Sequence, residues 1–228
     1  MAKIVTSALV ADVRKKIGGN VFSKVRSGAM VRRKVSPIQP RSSAQRNVRA
    51  SFTFLAKAWS SASMDDTKRA AWNALAANYP QKDKFGASHT LTGLQMFLKL
   101  NRALNFLGLG PVYDPPATLA AGYPGDLSLT ATSPSTLTLN SAVAPAAGEN
   151  GIIYAAAQQS PGRTFVGNKY RAIDVTGVAT AGPWNIGPGY VNKFGALIAG
   201  KKVPIMLRFI TVASGAAGTA STILKVVS

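Results

Sequence analysis

The pattern of residues changes near position 110, and this change constrains the fold of the 228-residue chain more than any other feature. Before it, apolar residues recur at helical spacing, and two of the three tryptophans, Trp59 and Trp72, lie there. After it, short alternating runs are separated by Gly, Pro, Ser or Asn, as is typical of β-structure. The sequence therefore predicts an α+β chain with a domain at 1–110, a Pro-containing linker at 111–118 and a second domain at 119–228.

A β-hairpin is predicted near the N-terminus. Residues 20–26 and 29–35 are β-like runs, and the turn between them is expected at Ser27-Gly28, where glycine tolerates a positive φ. Alternation would place Phe22, Lys24 and Arg26 on one face of the first strand.

Three helices should follow the hairpin, and each has a recognisable start. The first is capped by Ser42 with Gln45, the second begins at Ser63 ahead of Asp65 and Asp66, and the third is capped by Thr92 with Gln95. Their apolar stripes are expected to form a core. The stripes contain Val48, Phe52, Leu55, Ala56 and Trp59, then Trp72, Leu75, Ala76 and Tyr79, and finally Leu94, Phe97, Leu98, Leu104 and Leu107.

The second domain is expected to be a β-sandwich. Strands are predicted at 127–131, 136–140, 152–158, 170–176, 203–212 and 222–227, and residues 194–198 are expected to form a short helical crossing. The span has the size of a seven-stranded sandwich. Because the chain has no cysteine, a disulfide-type immunoglobulin domain is excluded, and a fibronectin-III-like sandwich fits better.

Residue composition argues against an enzyme. The absence of cysteine removes thiolate and Cys-zinc chemistry, and a lone histidine, His89, does not build a triad or a multi-His metal site. Asp65 and Asp66 are explained by the helix start, and Gly18-Gly19 lacks the Lys-Ser/Thr of a phosphate loop and reads as a tight turn. We therefore expect no catalytic residue, cofactor or metal.

The net charge of +19 is concentrated near the N-terminus, where residues 1–50 hold twelve Lys or Arg and one acid, Asp12. Such an imbalance suits a polyanion, an acidic protein surface or simply solvent. With no base-reading motif present, nucleic-acid binding would be sequence-nonspecific and directed at phosphates. The candidate binding residues are Lys24, Arg26, Arg32, Arg33, Lys34, Arg41, Arg46 and Arg49.

Neither a membrane span nor a secretory signal is expected. Apolar stretches are interrupted well short of the ~18 residues that a span requires. Residues 1–10 lack the pattern of a secretory signal, so synthesis in a cytoplasm is expected.

Four short motifs resemble the small basic proteins encoded in the structural-gene regions of tailed bacteriophages. They are Ile17-Gly-Gly-Asn-Val-Phe-Ser23, Arg41-Ser-Ser-Ala-Gln-Arg46, Arg69-Ala-Ala-Trp-Asn73 and Leu91-Thr-Gly-Leu-Gln-Met-Phe97. The resemblance covers roughly residues 15–107, and many such proteins end in a fibronectin- or immunoglobulin-like domain. It implies a virion structural protein made in the host cytoplasm, and it carries over no binding or catalytic residue.

The leading hypothesis is a non-enzymatic virion protein at the capsid, portal or head–tail junction. Its partners would be other virion subunits and packaged DNA, and it would form a symmetric oligomer without membrane contact. One alternative is a free accessory protein that binds DNA without sequence preference. Another is a decoration or adhesion protein whose sandwich binds a host glycan, with Trp184 and Tyr190 as candidate aromatics, although core packing suits both residues better.

Overall fold

The computed structural model of the chain describes residues 2–4, 13–25, 28–36, 38–39, 42–83 and 85–228. The described helices are α1 (Ser43–Trp59), α2 (Asp66–Asn78), α3 (Gly93–Phe106) and α4 (Gly187–Phe194). The described strands are β1 (Ala2–Ile4), β2 (Lys15–Ile17), β3 (Asn20–Val25), β4 (Gly28–Arg33), β5 (Gln81–Lys82), β6 (Ser88–His89), β7 (Leu127–Thr132), β8 (Thr136–Ser141), β9 (Glu149–Ala155), β10 (Arg171–Val175), β11 (Trp184–Asn185), β12 (Lys202–Thr211) and β13 (Ser221–Val226).

The strands form separate antiparallel sheets, which confirms the predicted α+β class. One four-stranded sheet has the order β1-β4-β3-β2 and precedes the helices in sequence. The short strands β5 and β6 pair between α2 and α3. The remaining seven strands form a three-stranded sheet, β11-β8-β7, and a four-stranded sheet, β10-β9-β12-β13.

Side-chain caps fix where the first three helices begin. The Ser42 hydroxyl accepts a hydrogen bond from the Gln45 amide at 3.3 Å, and Thr92 and Gln95 form a reciprocal capping box. Both starts confirm the sequence prediction. Helix α2 begins at Asp66 rather than Ser63, because the Asp65 carboxylate accepts from the Lys68 amide at 2.7 Å and is therefore the residue that caps the helix.

The three helices share one apolar core. The rings of Trp72 and Phe97 pack edge to face, with their centroids 5.4 Å apart. The indole N–H of Trp72 donates to the Tyr113 carbonyl at 2.7 Å. Burial of large apolar side chains is the main stabilising term in such a small core. The buried members are Leu55, Ala58, Met64, Trp72, Leu75, Ala76, Met96, Phe97 and Leu100.

Part of the predicted α1 stripe lies outside this core, and that expectation was wrong. Val48 is 43% exposed and Phe52 41% exposed, and Ala56 is exposed as well. The face of α1 that meets α3 is instead the one with Ser51, Leu55 and Ala58: the Ser51 hydroxyl donates to the Asn105 side chain at 2.7 Å, and Leu55 and Ala58 are buried. Phe52 and Ala56 lie beside this face, and Val48 precedes the contact with Asn105, which is next to the last residue of α3. In α2, Tyr79 is similarly half-exposed because it is the C-cap rather than a core position.

The predicted linker is tied to the helical core by a buried amide. Asn101 is fully buried in α3; its Oδ1 accepts from the Val112 amide at 2.6 Å, and its Nδ2 donates to the Val112 carbonyl at 3.3 Å. Both polar atoms of the amide are therefore satisfied by backbone. Residues around Val112 thus follow the surface of α3 rather than standing away from it.

The C-terminal strands follow the sequence prediction closely. All six predicted strands are present with ends within three residues, and only the two-residue β11 was missed. The helical crossing expected at 194–198 lies earlier, at Gly187–Phe194, because Pro188 suits a first helical turn and Gly195, with φ of 86°, ends the helix. Both sheets and α4 contribute to one core, whose largest buried side chains include Leu137, Leu139, Ile153, Tyr190, Ile205, Leu207 and Phe209.

Helix α3 also touches the C-terminal part of the chain at a single very close approach. An ideal Cβ on Gly215 would lie 2.4 Å from the Leu100 carbonyl oxygen, and Gly215 has φ of 69°. Glycine is required here for two reasons, since both the left-handed backbone and the contact exclude a side chain. The contact joins the helical core to the loop after β12.

The first prediction tests this contact. We expect Gly215→Ala to lower the free energy of unfolding by about 2–4 kcal/mol, because it adds a clash with backbone to the cost of a left-handed alanine. Gly200→Ala is the matched control: its φ is 78°, but nothing lies within 4 Å of an added Cβ. The control should lose only about 1–2 kcal/mol. Equal midpoints for both variants in urea denaturation would contradict the close approach.

The second prediction concerns Tyr190, whose fully buried ring lies in the sandwich core and whose hydroxyl donates to the Ala156 carbonyl at 3.0 Å. Burial raises the pKa of Tyr190 to about 12. Above pH 10 the tyrosine ionises in the unfolded chain but stays protonated in the folded one. This group should therefore lower the free energy of unfolding by about 2–3 kcal/mol between pH 10 and 12. Tyr190→Phe should be less stable at neutral pH and should show a shallower decline over that range. Parallel pH profiles would contradict the assignment.

Candidate polyanion-binding interface

The N-terminal sheet that contains β1 to β4, here called the basic sheet, is built by short turns. Gly18-Gly19 joins β2 to β3 directly after Ile17, with φ of 56° at Gly18, which confirms the predicted tight turn. The β3–β4 ladder runs from Asn20 opposite Arg33 to Val25 opposite Gly28. The hairpin prediction is therefore confirmed, except that Gly28 belongs to the strand, where its φ is 118°.

Pairing register distributes the predicted cations over both faces of the basic sheet. Lys24 and Arg33 lie on the face that carries Phe22, whereas Arg32 is opposite Val21 and lies on the other face. Strand β2 adds one lysine to each face, since Lys15 pairs with Phe22 and Lys16 with Val21. The basic sheet is therefore cationic on both sides.

The remaining predicted residues flank this sheet. Lys34 follows β4, and its amide donates to the Gly19 carbonyl at 2.8 Å. Arg46 and Arg49 are exposed in the first turns of α1, where Arg49 donates to the Gln39 side chain at 3.4 Å. Arg26 and Arg41 lie outside the described residues.

These cations are not neutralised within the described part of the chain. Lys24, Arg32, Arg33, Lys34, Arg46 and Arg49 are all exposed, and no described carboxylate forms an ion pair with them. The ion pairs between described residues involve cations of α2 instead. The Arg69 guanidinium lies 2.7 Å from the Asp66 carboxylate, and the Lys68 ammonium lies 3.5 Å from that of Asp114. With respect to the described residues, the basic sheet thus presents positive charge that an external anion could neutralise.

The described residues of the basic sheet do not form a fully buried core. Among its described side chains, Phe22, Met30 and Val31 are half-buried and none is fully buried, while Ile17 remains 60% exposed. A sheet of this size normally needs one covered face for independent stability. Its apolar side chains are therefore available for contact with a partner.

A second group of cations was not anticipated from the sequence. Lys99 and Arg102 of α3 face Arg171 and Arg208 of the C-terminal sheet across a groove. The four residues are spread over more than a hundred positions, so no local charge run signals them. Only the packing of α3 on the sheet brings them together.

The other sequence candidates have structural roles. His89 pairs with Gln81 in the β5–β6 ladder, and Asp65 caps α2. In the described ranges no three His, Cys, Asp or Glu residues are grouped so that they could hold a metal ion. Trp184 is 9% exposed and Tyr190 fully buried, so neither offers a ring face to a glycan, and the core role expected for them is confirmed.

Comparison with protein-family models, with curated proteins and with solved structures found no match to this chain. Among the helices that the structure describes, none combines the length and the apolar character of a bilayer span.

The third prediction follows from the lack of a fully buried core among the described residues of the basic sheet. Amide hydrogens of β3 and β4 should exchange orders of magnitude faster than those of the β12–β13 hairpin, whose strand β12 is largely buried. Hydrogen–deuterium exchange read by mass spectrometry checks both hairpins in one sample, so β12–β13 is an internal control. Equally slow exchange in both would mean that the basic sheet is stable without a partner.

Proposed function

We propose that this chain is a non-enzymatic structural protein of a tailed-bacteriophage virion, located at the capsid, portal or head–tail junction. The observation that carries the proposal is the basic sheet: its described cations are exposed on both faces and paired with no described carboxylate, and none of its described side chains is fully buried. Such a surface is suited to attachment against DNA phosphates. The four phage-like motifs between Ile17 and Phe97 support the virion assignment.

The same proposal gives the C-terminal seven strands a fibronectin-III-like architecture. In support, the three-stranded sheet joins the first, second and fifth of these strands, β7, β8 and β11. The four-stranded sheet orders the others as β10-β9-β12-β13, which is the arrangement that a fibronectin-III sandwich with strands A-B-E and C′-C-F-G would have.

In this proposal the two parts of the chain have different tasks. The basic sheet and helices attach the protein to the particle and neutralise DNA phosphates, while the sandwich contacts neighbouring subunits or projects outward. The protein would be made in the host cytoplasm, incorporated into the virion as a symmetric oligomer and act without a cofactor.

The fourth prediction measures phosphate contact by the basic sheet. We expect the full chain with Lys24, Arg32, Arg33 and Lys34 changed to Gln to bind duplex DNA more weakly than the parent. Each lost phosphate contact should also flatten the slope of log K against log salt by about 0.9. Fluorescence anisotropy over a NaCl series, with several unrelated duplex sequences, gives both quantities.

A matched control removes the same charge elsewhere, by changing the exposed residues Arg163, Lys169, Lys201 and Lys225 to Gln. The control should keep the parent's salt slope. If both variants lose the same slope, general charge rather than the basic sheet binds DNA. If neither parent nor control binds at low salt, the charge serves an acidic virion protein.

The virion assignment itself is tested on purified particles of a phage that encodes the chain. Mass spectrometry should find the protein at a fixed, symmetry-related copy number. Its absence from particles, together with DNA binding in solution, would favour the free accessory protein.

A further inference from the structure

Residues of α3 and of the outer face of the C-terminal four-stranded sheet line an open groove. The groove has a volume of about 430 Å³, which is the size of a site for a small ligand. Its polar lining comes from α3, β9, β10, β12 and the residue before β10, and consists of Lys99, Arg102, Tyr154, Tyr170, Arg171 and Arg208.

Strand register explains why these side chains share one face of the sheet. Ile153 and Leu207 belong to the sandwich core, so the alternate residues Tyr154 and Arg208 lie on the opposite face. Arg208 is opposite Ile152 in the β9–β12 ladder and therefore diagonal to Tyr154, within reach of a long side chain. The sheet thus provides a tyrosine and an arginine side by side under α3.

Three cations of the groove contact neighbouring polar or aromatic groups. Arg102 lies over the Phe52 ring, with its guanidinium carbon 4.8 Å from the ring centre, and Lys99 donates to the Gln81 side chain at 3.3 Å. Arg171 donates to the Tyr170 carbonyl at 2.9 Å. No acidic residue of the described chain lines the groove.

Arg208 carries the clearest sign of an unfilled site. Its Nε is buried and has no hydrogen-bond partner among the described residues. An unpaired buried N–H is costly, and Arg208 as a whole is only half-buried and lines the groove, so an anion beside its guanidinium group would offset part of that cost.

The two tyrosines add a second kind of contact. Tyr154 and Tyr170 are half-buried, and burial raises the pKa of both phenols; for Tyr154 the nearby Arg208 and Arg102 guanidinium groups oppose this rise. Both hydroxyls therefore remain protonated near neutral pH and can donate hydrogen bonds. Their rings, together with the half-exposed Phe106, offer flat apolar surface next to the cations.

We propose that this groove binds single-stranded nucleic acid, with phosphates on its arginines and bases against Tyr154 and Tyr170. Arginines with adjacent aromatic rings are the combination that single-strand sites use. An acidic peptide would satisfy the charges but leave the rings unused, and a duplex keeps its bases paired and stacked on one another rather than on the tyrosine rings. The inference does not rest on the proposed function, because no residue of the basic sheet lines the groove.

The fifth prediction locates the strand by photocrosslinking. An oligothymidine of about eight nucleotides that contains 5-iodouracil is irradiated with the full chain, and the crosslinked peptide is identified by mass spectrometry. We expect crosslinks at Tyr154 or Tyr170. Crosslinks confined to other residues, or none despite measurable binding, would overturn the proposal.

Variants separate the groove from general charge. Arg102→Gln with Arg171→Gln changes two exposed groove residues and should reduce the groove crosslink about tenfold, in keeping with the loss of two phosphate contacts. The matched control, Arg163→Gln with Lys201→Gln, removes the same charge from exposed positions outside the groove and should leave the crosslink unchanged. Equal losses in both variants would contradict a built site.

Competition identifies the class of ligand. Unlabelled oligothymidine should abolish the Tyr154 or Tyr170 crosslink, whereas an octaglutamate peptide of similar charge should compete at least tenfold less well. If the peptide competes better, the groove is a site for an acidic protein segment and the nucleic-acid assignment is wrong.

Discussion

The close approach of Leu100 and Gly215 joins the two halves of the chain. On one side, α3 contributes Met96, Phe97 and Leu100 to the helical core. On another side, its backbone meets the loop after β12 at a distance that only glycine allows. Helix α3 is therefore held on one side by the helical core and on another by the loop after β12.

This arrangement also creates the groove. Residues of α3 line the groove together with Ile152 and Ile210, which are buried, and with Tyr154 and Arg208, which are only partly covered. The exposed side of the helix then supplies Lys99 and Arg102 opposite them. Apolar packing thus fixes the separation at which the charged residues face one another, which is how a rigid scaffold positions a binding site.

Local signals in the sequence were sufficient for the elements but not for their assembly. The Thr92–Gln95 box and the alternating runs after residue 127 predicted elements correctly, because caps and side-chain alternation depend on neighbours in sequence. The exposure of Val48 depends instead on where α3 ends. The groove cations come from α3, β10 and β12, so no local pattern in the sequence could have indicated them. The fibronectin-III-like architecture and the virion role stay predictions.

The alternation of Arg32 and Arg33 has a consequence for assembly geometry. Neighbouring residues of a strand point to opposite faces, so a surface that occupies the Arg33 face leaves the Arg32 face accessible. In the proposed attachment, one copy would therefore contact two anionic surfaces rather than one. The basic sheet would then separate, by about the thickness of one strand layer, two like-charged bodies that would otherwise repel each other.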